Sequence, residues 1–430
     1  MTAPTTGASA RGFHGWRMVG AGTGLQFLQA GLMQQAFGAY VAVLSTERGW
    51  SKTALSGAAA LQSVETAIIG PLLGWMIDRL GAQRLIRWGV LIFGAGLIAM
   101  GCVDSLAGFY AAVIVIALGT SLCGYFPINV AIIHWFERKR ARALSTVGLG
   151  LALGGLFVPV VAGSIVTFGW RATAIGSGVL AIAVGWPLAR VFKGTPAELG
   201  QTVDGLPPEP APAAGAQDTS PPEFTAREAL RTRAFWLLSV GHGFALLVVT
   251  AVNVHAITHM KETLGYSVAQ ASLVITLMTA AQVAGVLTGM TIGDRFEKRL
   301  VAAACMLMHA AGLLMLTYAT GPAMLVAFAV LHGTAWGLRG PFMQAIRADY
   351  FGRRSIGMIM GLSAVIIAVG QVGGPMVAGG FADLTGDYRV GFTLLALLAA
   401  GGSVAFAVAT RPARPRRAAD ASPGSPGSPA

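Results

Sequence analysis

Long apolar runs, separated by short polar segments, recur along almost the whole chain. A helix needs about 20 apolar residues to cross a bilayer core of about 30 Å. Twelve runs meet that length, near 17–44, 53–77, 84–103, 106–134, 142–168, 171–192, 234–260, 267–292, 300–319, 322–348, 355–382 and 389–410. They are too long for barrel strands and lack apolar/polar alternation, so each predicts a membrane-spanning helix. Residues 1–15 are small and polar, and the first run leads straight into more spans, which argues against a cleavable signal peptide.

A polar stretch divides the runs six and six. The expected organisation is a tail (1–16), a six-helix bundle (17–193), a linker (194–233), a second six-helix bundle (234–410) and a tail (411–430). The middle of the linker, Pro207 to Pro222, is rich in Pro, Ala and charge and is expected to be disordered, as is the tail from Arg411 with its Ser-Pro-Gly repeats. The segment from Phe224 to Arg233 reads either as a short amphipathic helix or as a tether.

Composition sharpens the class. Hydrophobic residues make up 54% of the 430 residues and charged residues 11%, where a soluble domain carries about 25% charge. So few charges cannot cover a water-facing surface of this size, which excludes an ordinary soluble enzyme, a disordered chain and a nucleic-acid-binding protein. The net charge of +12 is explained by topology. With the N-terminus inside, the inner segments hold 24 Lys and Arg and the outer segments 5 (Arg48, Lys52, Arg171, Lys261 and Arg389). That bias places both termini in the cytoplasm of a cell inner (plasma) membrane, with the cations facing membrane lipid and no nucleic-acid partner. Cys102, Cys123 and Cys305 sit in apolar runs and form no disulfide framework.

The two halves repeat. Gly49-Trp50-Ser51 matches Gly265-Tyr266-Ser267, Asp78-Arg79 matches Asp294-Arg295, and the Pro159 to Gly163 stretch matches Pro375 to Gly379, all at an offset of 216; Gly119-Thr120 and Pro127 match Gly333-Thr334 and Pro341 at 214. Such duplication is the pattern of two-bundle transporters with a site between the repeats.

Between spans two and three the chain reads Gly74-Trp-Met-Ile-Asp78-Arg79-Leu-Gly81-Ala-Gln-Arg84, and a degenerate copy runs from Gly289 to Arg299. These motifs resemble the inner-loop signature of the major facilitator superfamily. Three further stretches are similar to its monocarboxylate-transporter and oxalate/formate-exchanger group: Gly15-Trp16-Arg17, Gly49-Trp50-Ser51, and Trp135-Phe136 through Arg138-Lys139-Arg140 to Arg142-Ala143. The resemblance implies an all-α membrane protein with twelve transmembrane helices in two pseudo-symmetric six-helix bundles, working by rocker-switch alternating access. It also implies a latch role for Asp78, which can pair with Arg side chains or a helix N-terminus across the bundle interface. With Arg79, Arg84, Asp294 and Arg295 it would form a cytoplasmic gate, Gly74 allowing close helix approach and Gly81 a tight turn. A plain topology anchor is the other reading. Span eight, where the group places its arginine, has none here, and Gln282 is its most polar central residue.

A charge at mid-membrane costs at least about 2.5–3.5 kcal/mol and is a functional candidate. Arg339, in Gly337-Leu338-Arg339-Gly340-Pro341, offers a fork that fits a carboxylate; it reads as a substrate-anion site or as half of a structural ion pair. Its first-half equivalent is Tyr125. Glu65 in span two reads as a proton-coupling group, as a partner of Arg339, or as an inert hydrogen-bonded carboxyl. His255 and His259 lie i, i+4 near the outer end of span seven. A metal there lacks further ligands, so His255 reads as a gate, a proton relay or a packing residue. His332 lies two turns above Arg339. Gln29, Asn129, Asn253 and Gln371 complete the polar positions expected to line a cavity, since their spans do so in the superfamily.

No phosphate-cradling loop and no catalytic constellation is present, so neither an enzyme nor a cofactor is expected. The expected function is secondary active transport of a small organic anion, most simply a monocarboxylate, coupled to protons or a counter-substrate. A proton-driven exporter of lipophilic cations, and a transport-inactive receptor or interaction protein using the linker, are the alternatives.

Overall fold

The computed structural model describes residues 12–50, 52–206 and 223–413. Residues 1–11 of the N-terminal tail, Ser51, the Pro-rich centre of the linker and all of the tail beyond residue 413 lie outside the described residues.

Twelve long helices carry the fold. They are α1 (His14–Glu47), α2 (Lys52–Leu80), α3 (Ala82–Gly101), α4 (Leu106–Trp135), α5 and α6 within one run (Arg140–Val191), α7 (Arg233–Glu262), α8 (Val268–Ile292), α9 (Lys298–Thr317), α10 (Pro322–Phe351), α11 (Ile356–Thr385) and α12 (Arg389–Val408). Among the described residues, nine helical stretches are long and apolar enough to cross a membrane. One of them, Arg140–Val191, is two spans turned at Gly169, whose φ of 82° only glycine adopts readily. Helices α2 and α10 complete the twelve.

Each half packs around its own apolar core, and only a few residues of α10 and α11 join the first half's cluster. The halves meet where side chains vanish. A Cβ on Gly74 would lie 2.4 Å from the Gly357 carbonyl oxygen, and one on Gly361 would lie 2.4 Å from the Gly70 carbonyl oxygen. Helices α2 and α11 therefore cross backbone to backbone, as small-residue interfaces allow in membranes. Helices α5 and α8 meet through glycine and small side chains: a Cβ on Gly289 would lie 2.7 Å from Ser145 Oγ, and one on Gly293 2.9 Å from Ala141 Cβ.

Both ends of the described chain lie at one end of the molecule, here called the basic end. The His14 N–H donates to Gln201 Oε1 at 3.0 Å, and the Tyr350 hydroxyl donates to the Ala409 carbonyl at 2.7 Å. The segment after Phe224 is a five-residue helix, Ala226–Leu230, closed by a Thr225/Glu228 capping box.

Candidate functional site

A cavity of about 470 Å³ lies between the halves. Its polar lining comes from Gln26, Gln29 and Gln34 of α1, Thr120, Ser121 and Tyr125 of α4, Gln344 and Arg347 of α10, and Gln371 of α11. Two helix irregularities shape it. Helix α1 widens into a π turn at Ala30–Gln34, a common device at functional sites. Helix α4 breaks at Gly124, whose backbone is extended. Pro127 has no N–H to return to the Cys123 carbonyl. The Gln29 side chain supplies the missing donor: Nε2 donates to the Cys123 carbonyl at 2.8 Å. A break in one helix is thus sealed by an amide of another, and Tyr125 is presented to the cavity.

Two arginines are enclosed in α10. Arg339 is 1% exposed and Arg347 is 2% exposed. Neither makes an ion pair with any described residue. Arg347 lines the cavity; it donates to the Met343 carbonyl at 3.2 Å and to Ser363 Oγ at 2.8 Å, and its Nη2 lies 3.3 Å from His242 Nδ1. Arg339 is not among the residues lining this cavity. Its Nε and Nη1 find no hydrogen-bond partner, and it lies within electrostatic reach of Tyr125, which does line it. A buried guanidinium left without partners is expensive.

Arg347 is one of the 24 inner-side cations counted from sequence, although it falls within the run 322–348; the structure sets it against the cavity. Helix α10 runs to Phe351, three residues past the expected end of span ten. At 30 residues it is about 45 Å long, so its last turns still lie against the cavity. The apolar face of Phe342, Ala345, Ile346 and Ala348, all buried, packs this last part of the expected span into the protein. Gln344, in the same stretch, is also buried and cavity-lining.

The other sequence candidates scatter. Glu65 is half-buried and accepts from the Ser121 hydroxyl at 3.2 Å, which sets it behind the cavity wall. Asn129 is fully buried one turn beyond Tyr125. Gln282 is half-buried and Asn253 is exposed, and neither is in the lining of this cavity. His332 is buried with its Nδ1 3.2 Å from His309 Nδ1, inside the second half. His255 Nε2 lies 3.0 Å from the Pro375 carbonyl and fastens α7 to α11.

At the basic end the halves are tied by carboxylates set on helix N-termini. Asp78, at the end of α2, accepts from Gly357 N at 3.0 Å and Met358 N at 2.8 Å, at the start of α11. Asp294, after α8, accepts from Ala141 N at 3.0 Å and Arg142 N at 3.1 Å, at the start of α5. Donors and acceptors in the two ties are related by 216 positions throughout. Such sites use the exposed N–H groups and the positive end of the helix dipole. Burial against the other half raises the Asp294 carboxyl above its ordinary value, in spite of these two N–H groups. Arg140, buried at the α5 start, pairs with Asp349 of α10, which Lys298 also contacts at 2.9 Å, and Arg353 reaches Glu137 at 3.5 Å. Of the motif residues, Gly81 takes φ 82° at the turn, Arg79 stacks on Trp75 at 5.6 Å, and Arg84 and Arg295 are exposed.

Twelve helices in two repeated halves, an interfacial cavity and matched carboxylate ties define a two-bundle membrane transporter. The chain belongs to the Major Facilitator Superfamily, whose family model matches residues 23–256 and again 238–429. It is similar to Monocarboxylate transporter 12 of Rattus norvegicus, 27% identical over an alignment of 356 residues, with 76% of this chain and 72% of the relative covered. Among solved structures it shares its fold with the E. coli fucose:proton symporter FucP (TM-score 0.70, 16% identity, 92% of this chain and 98% of that one). It also shares it with the human organic anion transporter MFSD10 (TETRAN), at TM-score 0.68 and 15% identity, over 91% of this chain and 99% of that one.

Proposed function

We propose that this transporter moves a small organic anion, most simply a monocarboxylate, and that Arg347 holds its carboxylate while Arg339 adds positive charge behind the cavity wall. The observation that carries the reading is the pair of enclosed guanidinium groups, Arg339 and Arg347, with no carboxylate bound to either among the described residues. Two like charges out of water call for an anion, and Arg347 meets the cavity directly. The amides of Gln26, Gln34, Gln344 and Gln371 are suited to the rest of a polar substrate. The names of the rat relative and of the human structure, a monocarboxylate transporter and an organic anion transporter, agree with this reading. A lipophilic cation fits such a cavity poorly.

In this reading the basic end faces the cytoplasm, the carboxylate ties close that side, and rocking of the halves exposes the cavity alternately. Glu65, beside Ser121, is the proton-coupling group.

The test is ligand-induced stabilisation of the purified protein with short mono- and dicarboxylates. A ligand at about 100-fold its Kd adds about 2.7 kcal/mol. Arg347→Gln is expected to abolish the carboxylate shift, and Arg339→Gln to weaken it at least tenfold. Equal shifts in wild type and both variants would remove the anion-site reading. For coupling, Glu65→Gln is expected to flatten the pH dependence of uptake into vesicles; an unchanged pH profile rejects that role.

A further inference from the structure

The linker occurs once in the chain, yet it serves both halves in the same way. Its first end carries Asp204, 6% exposed, whose Oδ2 accepts from Glu137 N at 3.1 Å and Arg138 N at 2.7 Å, and whose Oδ1 accepts from Lys139 N at 3.2 Å. Its second end carries Glu223, whose Oε1 accepts from Arg353 N at 3.4 Å and Oε2 from Arg354 N at 2.7 Å. Glu137-Arg138 and Arg353-Arg354 are equivalent positions of the repeat, 216 residues apart. They form the turns that lead into α5 and α11.

Asp204 is held for this task. Its φ is 59°, the only positive value for a non-glycine residue among those described, and Gly205 follows with φ 68°. A left-handed aspartate is an uncommon conformation that its surroundings maintain, and Gly205 continues it without steric cost. They aim one carboxylate at three consecutive N–H groups, an anion nest with the charge supplied from the linker. Glu223 is fixed by its neighbour: Phe224 N donates to the Phe351 carbonyl at 2.9 Å, and the Phe224 ring packs on Phe351 at 5.6 Å.

Each turn is therefore gripped twice. In the first half, Asp204 takes the N–H groups of 137–139 and Asp294 of the opposite half takes those of 141 and 142. In the second half, Glu223 takes those of 353 and 354 and Asp78 of the opposite half takes those of 357 and 358. The inner grip comes from the half's own linker end, and the outer grip crosses between halves.

We infer that Asp204 and Glu223 are positioning residues of the gate: each orders the turn before α5 or α11 so that the helix N-terminus is presented to the carboxylate of the opposite half. Each acid acts within its own half, so the linker works as two clamps and not as a tether. The inference is independent of which substrate the cavity takes.

The test follows the separation of the halves at the basic end, with spin labels on Arg190→Cys and Leu300→Cys in a protein whose Cys102, Cys123 and Cys305 are replaced by Ala. Asp204→Asn and Glu223→Gln each remove the charge and turn an amide N–H toward a backbone N–H. Each is expected to raise the ratio of long to short separations roughly tenfold, the scale of one lost charge-assisted contact. Together they are expected to raise it further. Cleavage at a protease site inserted between the two acids leaves both in place and is expected to leave the ratio unchanged. Three results would overturn the inference: an unchanged ratio in both folded variants, a loss of thermal stability without any shift in the ratio, or a shift on cleavage that matches the variants. Either variant alone carries the test if the other does not fold.

Discussion

Gln29 shows how one side chain joins local structure to the site. A proline at position 127 frees the Cys123 carbonyl, and Gln29 Nε2 occupies it. Removing that amide leaves a buried acceptor bare, which costs about 1–3 kcal/mol. Gln29→Met is therefore expected to lower the apparent unfolding temperature. Gln34→Met, at an exposed position of the same helix, is expected to leave it nearly unchanged; melts of the two variants side by side check the difference. In sequence Gln29 reads as part of a polar cavity wall, and in the structure it lines the cavity. Its bond to a broken helix is not readable in sequence, because the partner lies 94 residues away.

At the scale of elements, the crossing of α2 and α11 depends on glycine. A methyl group at position 74 would meet backbone atoms of Gly357 and Met358, which cannot swing aside as a side chain can. Gly74→Ala is expected to push the helices apart and to disfavour the tied state. Faster alkylation of a single cysteine introduced among the residues of that interface would report it. The twelve spans and their order are legible as apolar length, and the halves as a repeat. The place of Arg347 is not. It sits one residue from the end of the expected span 322–348, where an arginine reads as an inner-side anchor, while Arg339, with apolar residues on both sides, stands out.

For the whole molecule, two halves related by a repeat make the gate a balance of matched ties. Asp294 gives that balance a pH dependence. Its carboxyl is raised by the packing around it in the tied state and returns toward its ordinary value, about 3.9, when the halves part and that packing is lost. The tied state thus binds the proton more tightly. Acidification toward the raised value favours the tied state, and the effect fades once pH falls below the ordinary value. Lys298 and Asp349 face the same carboxyl and act in opposite senses. Lowering the pH from neutral to about 4, the ordinary carboxylate value, is expected to shorten the separation of labels placed on the two halves at the basic end. Asp294→Asn is expected to remove part of that response, the matched Asp78 tie being left in place, and an equal response in the variant would assign all of it to other groups. The architecture and the tie motif are legible from duplicated residues. The clamps of Asp204 and Glu223 are not, since the linker has no second copy with which to compare it.

The contact between Arg347 and His242 has a chemical consequence. A guanidinium gives hydrogen bonds and takes none, so the imidazole Nδ1 it faces at 3.3 Å must be the bare nitrogen, and the ring's single hydrogen sits on Nε2. The arginine thereby selects one tautomer. A second proton on the ring would have to enter at Nδ1, in the space the arginine's own hydrogen occupies, and would set two cations face to face. Imidazolium formation and this contact exclude each other: His242 can take up a proton only as Arg347 lets go of it.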